Sequence, residues 1–244
     1  MLWYKIKTSL LLKKLQIENK ETITAQELKN YCNQLNIDYT TTIDHYLTRK
    51  HLTRIFRGIF YIKTLNEKKL GKTKYTHLDL VAKGLEIKNI KNWYFSLYTA
   101  LKLNNQTHEY FTTDYVTNDK ILRTNPIKIA GHKFKFLKLK QSLFNFGLIH
   151  KDHITYSDPE KTILDFIYMW CYNGTSKDQI IADIDNWTTN ISMDKLMEYA
   201  ENYPKTVQKI AHEIANNNPN RVIEWEKNLL WRSQNRTILN KQSL

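Results

Sequence analysis

The side chains best suited to hold a nucleic acid are concentrated between positions 40 and 57. Hydroxyl, imidazole and cationic groups follow one another there, in the set Thr40, Thr41, His45, Arg49, Lys50, Arg54 and Arg57. Short polar side chains hydrogen-bond to base edges, whereas lysine and arginine bind phosphates. We therefore predict that the first three residues read bases, that Arg49, Arg54 and Arg57 hold phosphates, and that Lys50 also binds the DNA.

Two helices separated by a short turn are predicted to carry most of these residues. Thr24 and Glu27 have the spacing of a capping box, which starts the first helix. A turn over 36–38 leads into a second helix from about Tyr39 to Lys50. Its apolar residues recur at helical spacing and face inward: Ile43, Tyr46 and Leu47. The opposite face is polar and is left free for a ligand.

A short hairpin is predicted directly after the second helix. Two β-type runs, 52–56 and 59–62, are joined by Arg57 and Gly58, and glycine suits the positive φ of such a turn. Helix, turn, helix and hairpin together place one helix in the DNA major groove and the hairpin over the backbone. Residues 24–62 thus predict a winged helix-turn-helix. A three-helix domain that binds protein is the alternative.

The charge of the chain fits a nucleic-acid partner. Its 244 residues carry a formal net charge of +13. Residues 1–70 hold 13 Lys and Arg against 6 Asp and Glu, a balance of +7, so over half of the excess lies in this part. Basic charge gives phosphate affinity that salt weakens, although a low-GC genome also yields Lys-rich chains. Lysines alternate with apolar residues over 133–139. Two interpretations stay open: these lysines contact nucleic acid, or they form the solvated face of an edge strand.

The sequence predicts a cytoplasmic protein. No apolar run reaches the roughly 20 residues of a membrane span. Lys13 and Lys14 interrupt the apolar N-terminal patch, which we interpret as the first helix of the winged domain rather than a signal peptide. Cys32 and Cys171 lie among apolar positions, as cysteines of a packed core do.

The sequence predicts two domains, a winged domain over 1–70 and a larger domain over 71–244. The boundary between them is expected in the charged stretch near 65–74. Helical spacing covers 77–86 and 92–104, and β-like runs cover 110–117, 127–130, 133–139 and 154–156, with Ile149 beside the last. Further helices are expected at 157–170, 177–184, 192–202, 204–216 and 219–240. The expected class is α+β: an N-terminal winged helix-turn-helix, then a larger mixed domain with a small antiparallel sheet and a helical C-terminal part.

No group of residues has the specific spacing of an active site. Asp158, Glu160 and Lys161 have the composition of a nuclease site, but they start a helix, where capping explains them better. The carboxylates at 183–185 lack the Gly-Ser turn of a nucleotidyltransferase, and the stretch 173–177 lacks the second glycine of a phosphate loop. The histidines at 150 and 153 lack further metal ligands nearby. We expect no catalytic residue, no metal and no cofactor.

Two blocks of the chain together resemble the AbiEi family of type IV antitoxins and regulators. The run LTRKHLTRIFRGIFYI (47–62) is similar to the basic wing of that family, and YSDPEKTILDF (156–166) is similar to its SDPE(R/K)TLLD helix start. The late run KTVQKIAHEIAN (205–216) resembles a helix of the family without its Arg-Leu-Gly core. The resemblance covers roughly residues 20–216, and the segment beyond has no clear counterpart.

The resemblance implies a winged helix followed by an antitoxin domain, encoded beside a nucleotidyltransferase-like toxin. Such proteins bind double-stranded DNA at their own promoter and counter the toxin, without a stable complex as the rule. The expected function is antitoxin and autorepressor of a type IV toxin–antitoxin, or abortive-infection, operon. Two alternatives stay open: a stand-alone winged-helix transcription regulator whose C-terminal domain senses a ligand or oligomerises, and a degenerate nuclease.

Overall fold

A computed structural model describes residues 2–188 and 191–217 of the chain. Its N-terminal part consists of α1 (Leu2–Ile17), β1 (Thr22–Thr24), α2 (Ala25–Gln34), α3 (Tyr39–Thr48), β2 (Leu52–Phe56) and β3 (Ile59–Ile62). The three strands form an antiparallel sheet in the order β1-β3-β2. Helices and strands in this order confirm the predicted winged helix-turn-helix, in which the β2–β3 hairpin, here called the wing, follows the second helix of the pair.

Local signals in the sequence explain where the helices of this part begin. The capping box is present, since Thr24 Oγ1 accepts from the Glu27 backbone N–H at 3.2 Å and Glu27 Oε2 accepts from that of Thr24 at 2.8 Å. Asn36 takes a positive φ of 48° in the turn between α2 and α3. Apolar residues of all three helices and both wing strands then meet in one core, which buries Leu15, Leu28 and Phe60.

The second part of the chain is built around a larger sheet. Its elements are α4 (Leu65–Leu70), α5 (His77–Ile87), β4 (Trp93–Phe95), α6 (Leu97–Leu103), β5 (Thr113–Asn118), β6 (Ile127–Ile129), β7 (His132–Lys138), β8 (Leu148–Lys151), β9 (Ile154–Ser157), α7 (Pro159–Tyr172), α8 (Lys177–Ile184), α9 (Met193–Ala200) and α10 (Lys205–Asn217). The strand order is β6-β7-β5-β4-β9-β8. Pairs β5–β7 and β4–β9 are parallel, and the other three are antiparallel.

The larger sheet separates two hydrophobic cores, because successive side chains of a strand point to opposite faces. Tyr94 and Leu137 face the core formed with the C-terminal helices. Their neighbours Phe95 and Phe136 face the core formed with α5 and the wing. The described chain therefore has three layers: winged part with α5, six-stranded sheet, and C-terminal helices.

The structure corrects several details of the sequence-based expectation while the α+β class is confirmed. The helix expected over 92–104 is a strand, Trp93–Phe95, followed by the shorter helix α6, because β4 pairs with both β5 and β9. The sheet is mixed and six-stranded rather than small and antiparallel. Strand β7 lies between β6 and β5, so its lysines do not protect an edge.

Two further expectations concern the boundaries of elements. The segment at 65–74, expected as a turn-prone boundary, contains helix α4, which Thr64 and Glu67 start with a second capping box. The helix expected over 219–240 lies outside the described residues. Among those described, no helix is long and apolar enough to cross a bilayer. Cys32 is buried and Cys171 half-buried, and both thiols are free.

The wing belongs to two cores at once. Phe60 and Ile62 pack on the helices of the winged part, whereas Ile55, Phe56 and Tyr61 pack on α5 and the larger sheet. The Phe56 and Phe136 rings meet edge to face, with centroids 5.7 Å apart. The winged part is thereby held against the rest of the chain by apolar contact as well as by the covalent connection.

A glycine lets α5 approach the wing closely. A Cβ built on Gly84 would lie 2.6 Å from ring carbons of Phe56 and 2.7 Å from Cγ2 of Ile55. Both neighbours are buried, so neither ring nor methyl has free space to retreat into. Glycine at this position costs helix stability, and the close packing of α5 on the wing accounts for it.

A polar cluster around Glu21 joins the same two parts at the surface. Glu21 accepts hydrogen bonds from Lys83 at 2.8 Å, from Tyr75 at 2.5 Å and from Lys74 at 3.1 Å. The hydrogen bonds from Lys83 and Tyr75 lower the pKa of Glu21 from its ordinary 4.5 to about 2. Since Glu21 precedes β1 and its partners lie in and before α5, the cluster connects the winged part to α5.

We predict that Glu21→Gln lowers the thermal unfolding temperature at pH 7 and has little effect near pH 2. A carboxylate whose pKa is depressed by folding stabilises the protein above the unfolded pKa, and this contribution is lost as pH falls through the folded value. The gap in unfolding temperature between variant and wild type should therefore close between about pH 5 and pH 2. Calorimetric melts across this range measure it.

The control for this prediction is Glu86→Gln, which removes an exposed carboxylate on α5, the helix that carries Lys83. Its unfolding temperature should follow that of the wild type at every pH. An equal gap at pH 7 and pH 2 for Glu21→Gln would show that the ionised carboxylate does not hold the two parts together.

Candidate nucleic-acid interface

Helix α3 is held in place by hydrogen bonds at its start and along its buried face. Asp38 caps it, accepting from the Thr41 backbone N–H at 2.7 Å and from the Thr41 hydroxyl at 2.6 Å. The hydrogen bond from the Thr41 hydroxyl, and after it that from the Thr41 backbone N–H, hold the pKa of Asp38 below its usual value. The buried Tyr46 hydroxyl donates to the Thr8 carbonyl of α1 at 2.6 Å. The orientation of α3 is thus fixed by contacts to α1 as well as by the apolar core.

The outward face of α3 is short and polar, as predicted. Thr40, Thr41, Asp44 and Thr48 are exposed, while Ile43 and Tyr46 are buried. Residues spaced by three and four positions share one face of a helix, so the four exposed side chains form one continuous strip. Hydroxyl and carboxylate groups are able to hydrogen-bond to base edges.

The structure distinguishes among the three side chains predicted to read bases. Thr40 is exposed and has its hydroxyl free of the helix cap. Thr41 is also exposed, but its hydroxyl is already donated to Asp38. His45 is half-buried, with its ring 6.0 Å from that of Tyr46, so it lies at the border of the strip rather than at its centre. Asp44 and Thr48, outside the predicted set, are more exposed than His45.

The four predicted cations are all exposed. Arg49 and Lys50 follow the C-terminal end of α3, and Lys50 turns the chain with a φ of 57°. Arg54 lies on β2, and Arg57 lies in the turn of the wing. Among the described residues, none of the four forms an ion pair, so their charges are not neutralised by a carboxylate.

Arg54 lies near the start of α3, where burial raises the pKa of Tyr39 and the charge of Arg54 opposes that rise. Its guanidinium lies 5.8 Å from the centre of the Phe60 ring, on the helix-facing side of the wing. The ammonium of Lys29, on α2, lies 5.3 Å from the Tyr39 ring at the first position of α3. Lys29 and Tyr39 were not predicted as site residues, and an aromatic residue at the start of the second helix is the signal that would have suggested them.

The turn of the wing is held close to the body of the winged part. The Ala25 backbone N–H donates to the Gly58 carbonyl at 2.8 Å. Gly58 has the predicted positive φ, 77°, and a Cβ there would approach the Ala25 Cβ to 3.5 Å. These contacts hold the turn of the wing next to the start of α2, and Arg57 lies in that turn.

A groove of about 710 Å³ runs from the wing to the larger sheet. Its basic lining comes from the winged part and from the segment before α5: Arg54, Lys63, Lys72 and Lys74. Tyr75 and the histidines at 77 and 132 line it farther on. The groove continues the basic surface of the wing toward the second part of the chain.

The residues with nuclease-like composition are placed in a structural network. Asp158 caps α7 through the Lys161 backbone N–H at 2.9 Å. The Lys195 ammonium binds Asp158 Oδ2 at 2.7 Å and Glu160 Oε2 at 3.1 Å, and Glu160 Oε1 accepts from the Ser192 backbone N–H at 2.9 Å. Both carboxylates thereby fasten α9 to the start of α7, which agrees with the predicted capping role.

The side chain of Lys161 extends into the core. It is fully buried beside Asp165, with Nζ 3.6 Å from Oδ1, and it also donates to the Tyr203 hydroxyl at 3.1 Å. Asp165 accepts from the hydroxyls of Tyr94 at 2.8 Å and Tyr203 at 2.7 Å. Burial lowers the pKa of Lys161 and raises that of Asp165. This network ties α7 to the larger sheet and to the segment before α10.

The histidines at 150 and 153 and the carboxylates at 183–185 lie in different parts of the second half of the chain. His150 and His153 are exposed around the β8–β9 turn, where His150 pairs with the Thr155 hydroxyl at 2.9 Å. The pair at 183–185 falls at the end of α8, as expected.

Comparison with known proteins gives a structural likeness and no sequence family. No family model matches the chain, and no curated protein matches it. Among solved structures, the RV2827C protein from Mycobacterium tuberculosis is similar, with a TM-score of 0.57 at 10% sequence identity. The match covers 88% of this chain and 79% of that chain. At this identity the likeness shows the fold alone.

We predict that Lys161→Met destabilises the protein by about 3–5 kcal/mol, because it leaves the buried Asp165 carboxylate without its cation. The matched control is Lys177→Met, which breaks an exposed pair with Glu213 at 2.9 Å and should cost about 0–1 kcal/mol. Urea denaturation of both variants measures the difference. Equal small losses would mean that the buried pair does not support the helical part.

Proposed function

We propose that this chain is a DNA-binding autorepressor and antitoxin of a type IV toxin–antitoxin operon, acting in the cytoplasm. The observation that carries the DNA-binding half is the exposed polar strip of α3, followed along the chain by four exposed cations, Arg49, Lys50, Arg54 and Arg57. Hydroxyl groups and one carboxylate on an exposed helix face, together with cations that form no ion pair among the described residues, match a duplex, which offers base edges between two rows of phosphates.

In this proposal α3 enters the major groove of the operator. Thr40, Asp44 and Thr48 meet base edges, because they form the centre of the exposed strip. Arg54 and Arg57 reach phosphates beside the groove from the wing. Helix, wing and α1 are held together by a common core, so the set arrives preformed and little conformational entropy is lost on binding.

The antitoxin half of the proposal is supported by the resemblance of two blocks of the chain to AbiEi-type proteins. The SDPEKTILD block supplies the cap and the buried ion pair of α7, around which the C-terminal helices pack. This part of the chain has its own core and its own surface, distinct from the α3 strip. The proposal assigns it the neutralisation of a nucleotidyltransferase-like toxin encoded beside it, without a stable complex and without a catalytic step.

A stand-alone transcription regulator with a ligand-sensing second domain is the other candidate. The groove between the wing and the larger sheet favours it, because an anionic ligand among Arg54, Lys63 and Lys72 would contact both parts. Loss of toxin protection with retained promoter binding would distinguish this function from the first.

We predict that Arg54→Ala weakens binding to the promoter and to unrelated duplexes alike, and lowers the slope of log affinity against log salt by about 0.9, as expected for one lost phosphate contact. Thr40→Ala should instead cost roughly 1–3 kcal/mol on the operator and relax sequence preference. Fluorescence anisotropy titrations at several salt concentrations, on operator and scrambled duplexes, measure both.

Lys151→Ala is the control for charge, since Lys151 is exposed on β8, outside the proposed interface. It should leave operator affinity and salt slope unchanged. If Lys151→Ala and Arg54→Ala weaken binding equally, net charge rather than the α3 surface governs DNA association, and the assignment of the interface fails.

We predict that the two activities separate in the full-length chain. The triple variant Arg49→Ala/Arg54→Ala/Arg57→Ala should lose promoter repression and still protect cells against the toxin, because it leaves the core of the second part unchanged. Cell growth on co-expression with the toxin and a promoter–reporter fusion give the two readouts. Failure of the wild-type chain to protect would refute the antitoxin half and leave the plain regulator.

A further inference from the structure

Three potential metal ligands come together where α5 begins. His77 is the first residue of α5, Asp114 lies on β5, and His132 is the first residue of β7. One nitrogen or oxygen of each lies within 4.8 Å of those of the other two. His77 Nε2 is 3.2 Å from Asp114 Oδ2, and the two imidazole rings stack with centroids 3.7 Å apart.

The carboxylate of this cluster is oriented by a residue behind it. Thr99 Oγ1 is 3.2 Å from Asp114 Oδ1, and the same hydroxyl accepts from the Tyr115 backbone N–H at 2.8 Å. The backbone donor directs the hydroxyl proton of Thr99 to Asp114, which leaves Oδ2 facing the histidines. Metal-binding carboxylates and histidines are commonly positioned by outer hydrogen bonds of this kind.

We propose that His77, Asp114 and His132 bind a divalent first-row transition-metal ion, for which Zn²⁺ is the probe. Two imidazoles and one carboxylate are a common ligand set for zinc and for non-haem iron. Three protein ligands leave at least one coordination position for water. The sequence separations of 37 and 18 residues hide the set from motif searches, because only the pairing of β5 with β7 and the packing of α5 bring it together.

Binding requires one rotation that the structure permits. The stacked rings are inclined by only 8°, and nitrogen lone pairs lie in the ring planes, so two parallel rings do not converge on one ion. His77 and Asp114 are half-buried, whereas His132 is exposed beside the β6–β7 turn. Rotation of the His132 side chain therefore completes the site while the other two ligands keep their positions.

The ion would act as a cross-link between the start of α5 and two neighbouring strands. The pairing of β5 with β7 already fixes the strands that carry Asp114 and His132 relative to each other. A bond from the ion to His77 would therefore fix the N-terminal end of α5 to the sheet. A ligand that binds only the folded protein raises its stability with concentration. Zinc should therefore raise the unfolding temperature of the wild-type chain.

The test uses tag-free, full-length protein freed of metal with a chelator. Calorimetric titration with Zn²⁺ should give one ion per chain, and Co²⁺ should produce visible absorption bands of a site with nitrogen and oxygen ligands. His132→Ala and Asp114→Asn should abolish this binding. Thr99→Val should weaken it about 10–100-fold, the usual effect of removing an outer hydrogen bond to a metal ligand.

His150→Ala is the matched control, because His150 is an exposed histidine on the same sheet, outside the cluster. It should bind Zn²⁺ as the wild type does. Melting curves of the metal-free variants check that each is folded, and the exposed position of His132 makes its replacement the least disruptive. No stoichiometric binding by the wild type, or equal affinity in wild type and His132→Ala, would overturn the proposal.

Discussion

The rest of the structure depends on a wing hairpin that is apolar on both faces. Strand β3 alternates strictly: Phe60 and Ile62 join the helical core, whereas Ile59 and Tyr61 join the core of α5 and the larger sheet. Strand β2 cannot alternate throughout, because Ile55 and Phe56 both face α5. A register shift between Arg54 and Phe56 resolves the conflict, since a β-bulge lets adjacent residues point to the same side.

This constraint determines how the proposed DNA surface relates to the rest of the chain. A hairpin with an exposed outer face could move independently of a second domain, but this wing is covered by α5 at Gly84, where a Cβ would collide with Phe56. The apolar contact is reinforced by Glu21 and its three donors. The two strands of the wing, which carry Arg54 and the turn that contains Arg57, are consequently fixed with respect to the larger sheet as well as to α3. The two parts of the chain differ in architecture on either side of residue 70, but their side chains pack together across that boundary.

Local signals made much of this fold predictable, and long-range pairing accounts for what they missed. The capping box at Thr24 and Glu27, the glycine at 58 and the proline at the start of α7 each act within a few residues, and the structure has all three as predicted. The run at 93–95 has helical spacing but becomes a strand, because pairing with β5 and β9 outweighs intrinsic propensity. In the candidate site, charge and exposure of the cations followed from the sequence. The cap bond of Thr41 and the half-burial of His45 did not, because they depend on the exact rotation of α3.

Helix α5 packs on the wing and takes part in both polar clusters. His77 begins it, Lys83 binds Glu21 from its middle, and Gly84 receives the Phe56 ring one residue later. A ligand that binds the basic groove or the His77 cluster contacts this helix or the segment just before it. If the chain binds DNA as proposed, and if DNA and such a ligand prefer the same position of α5, each raises the affinity for the other by the same factor. The close contact of α5 with Phe56 and Ile55 at Gly84 is where such a coupling would reach the wing.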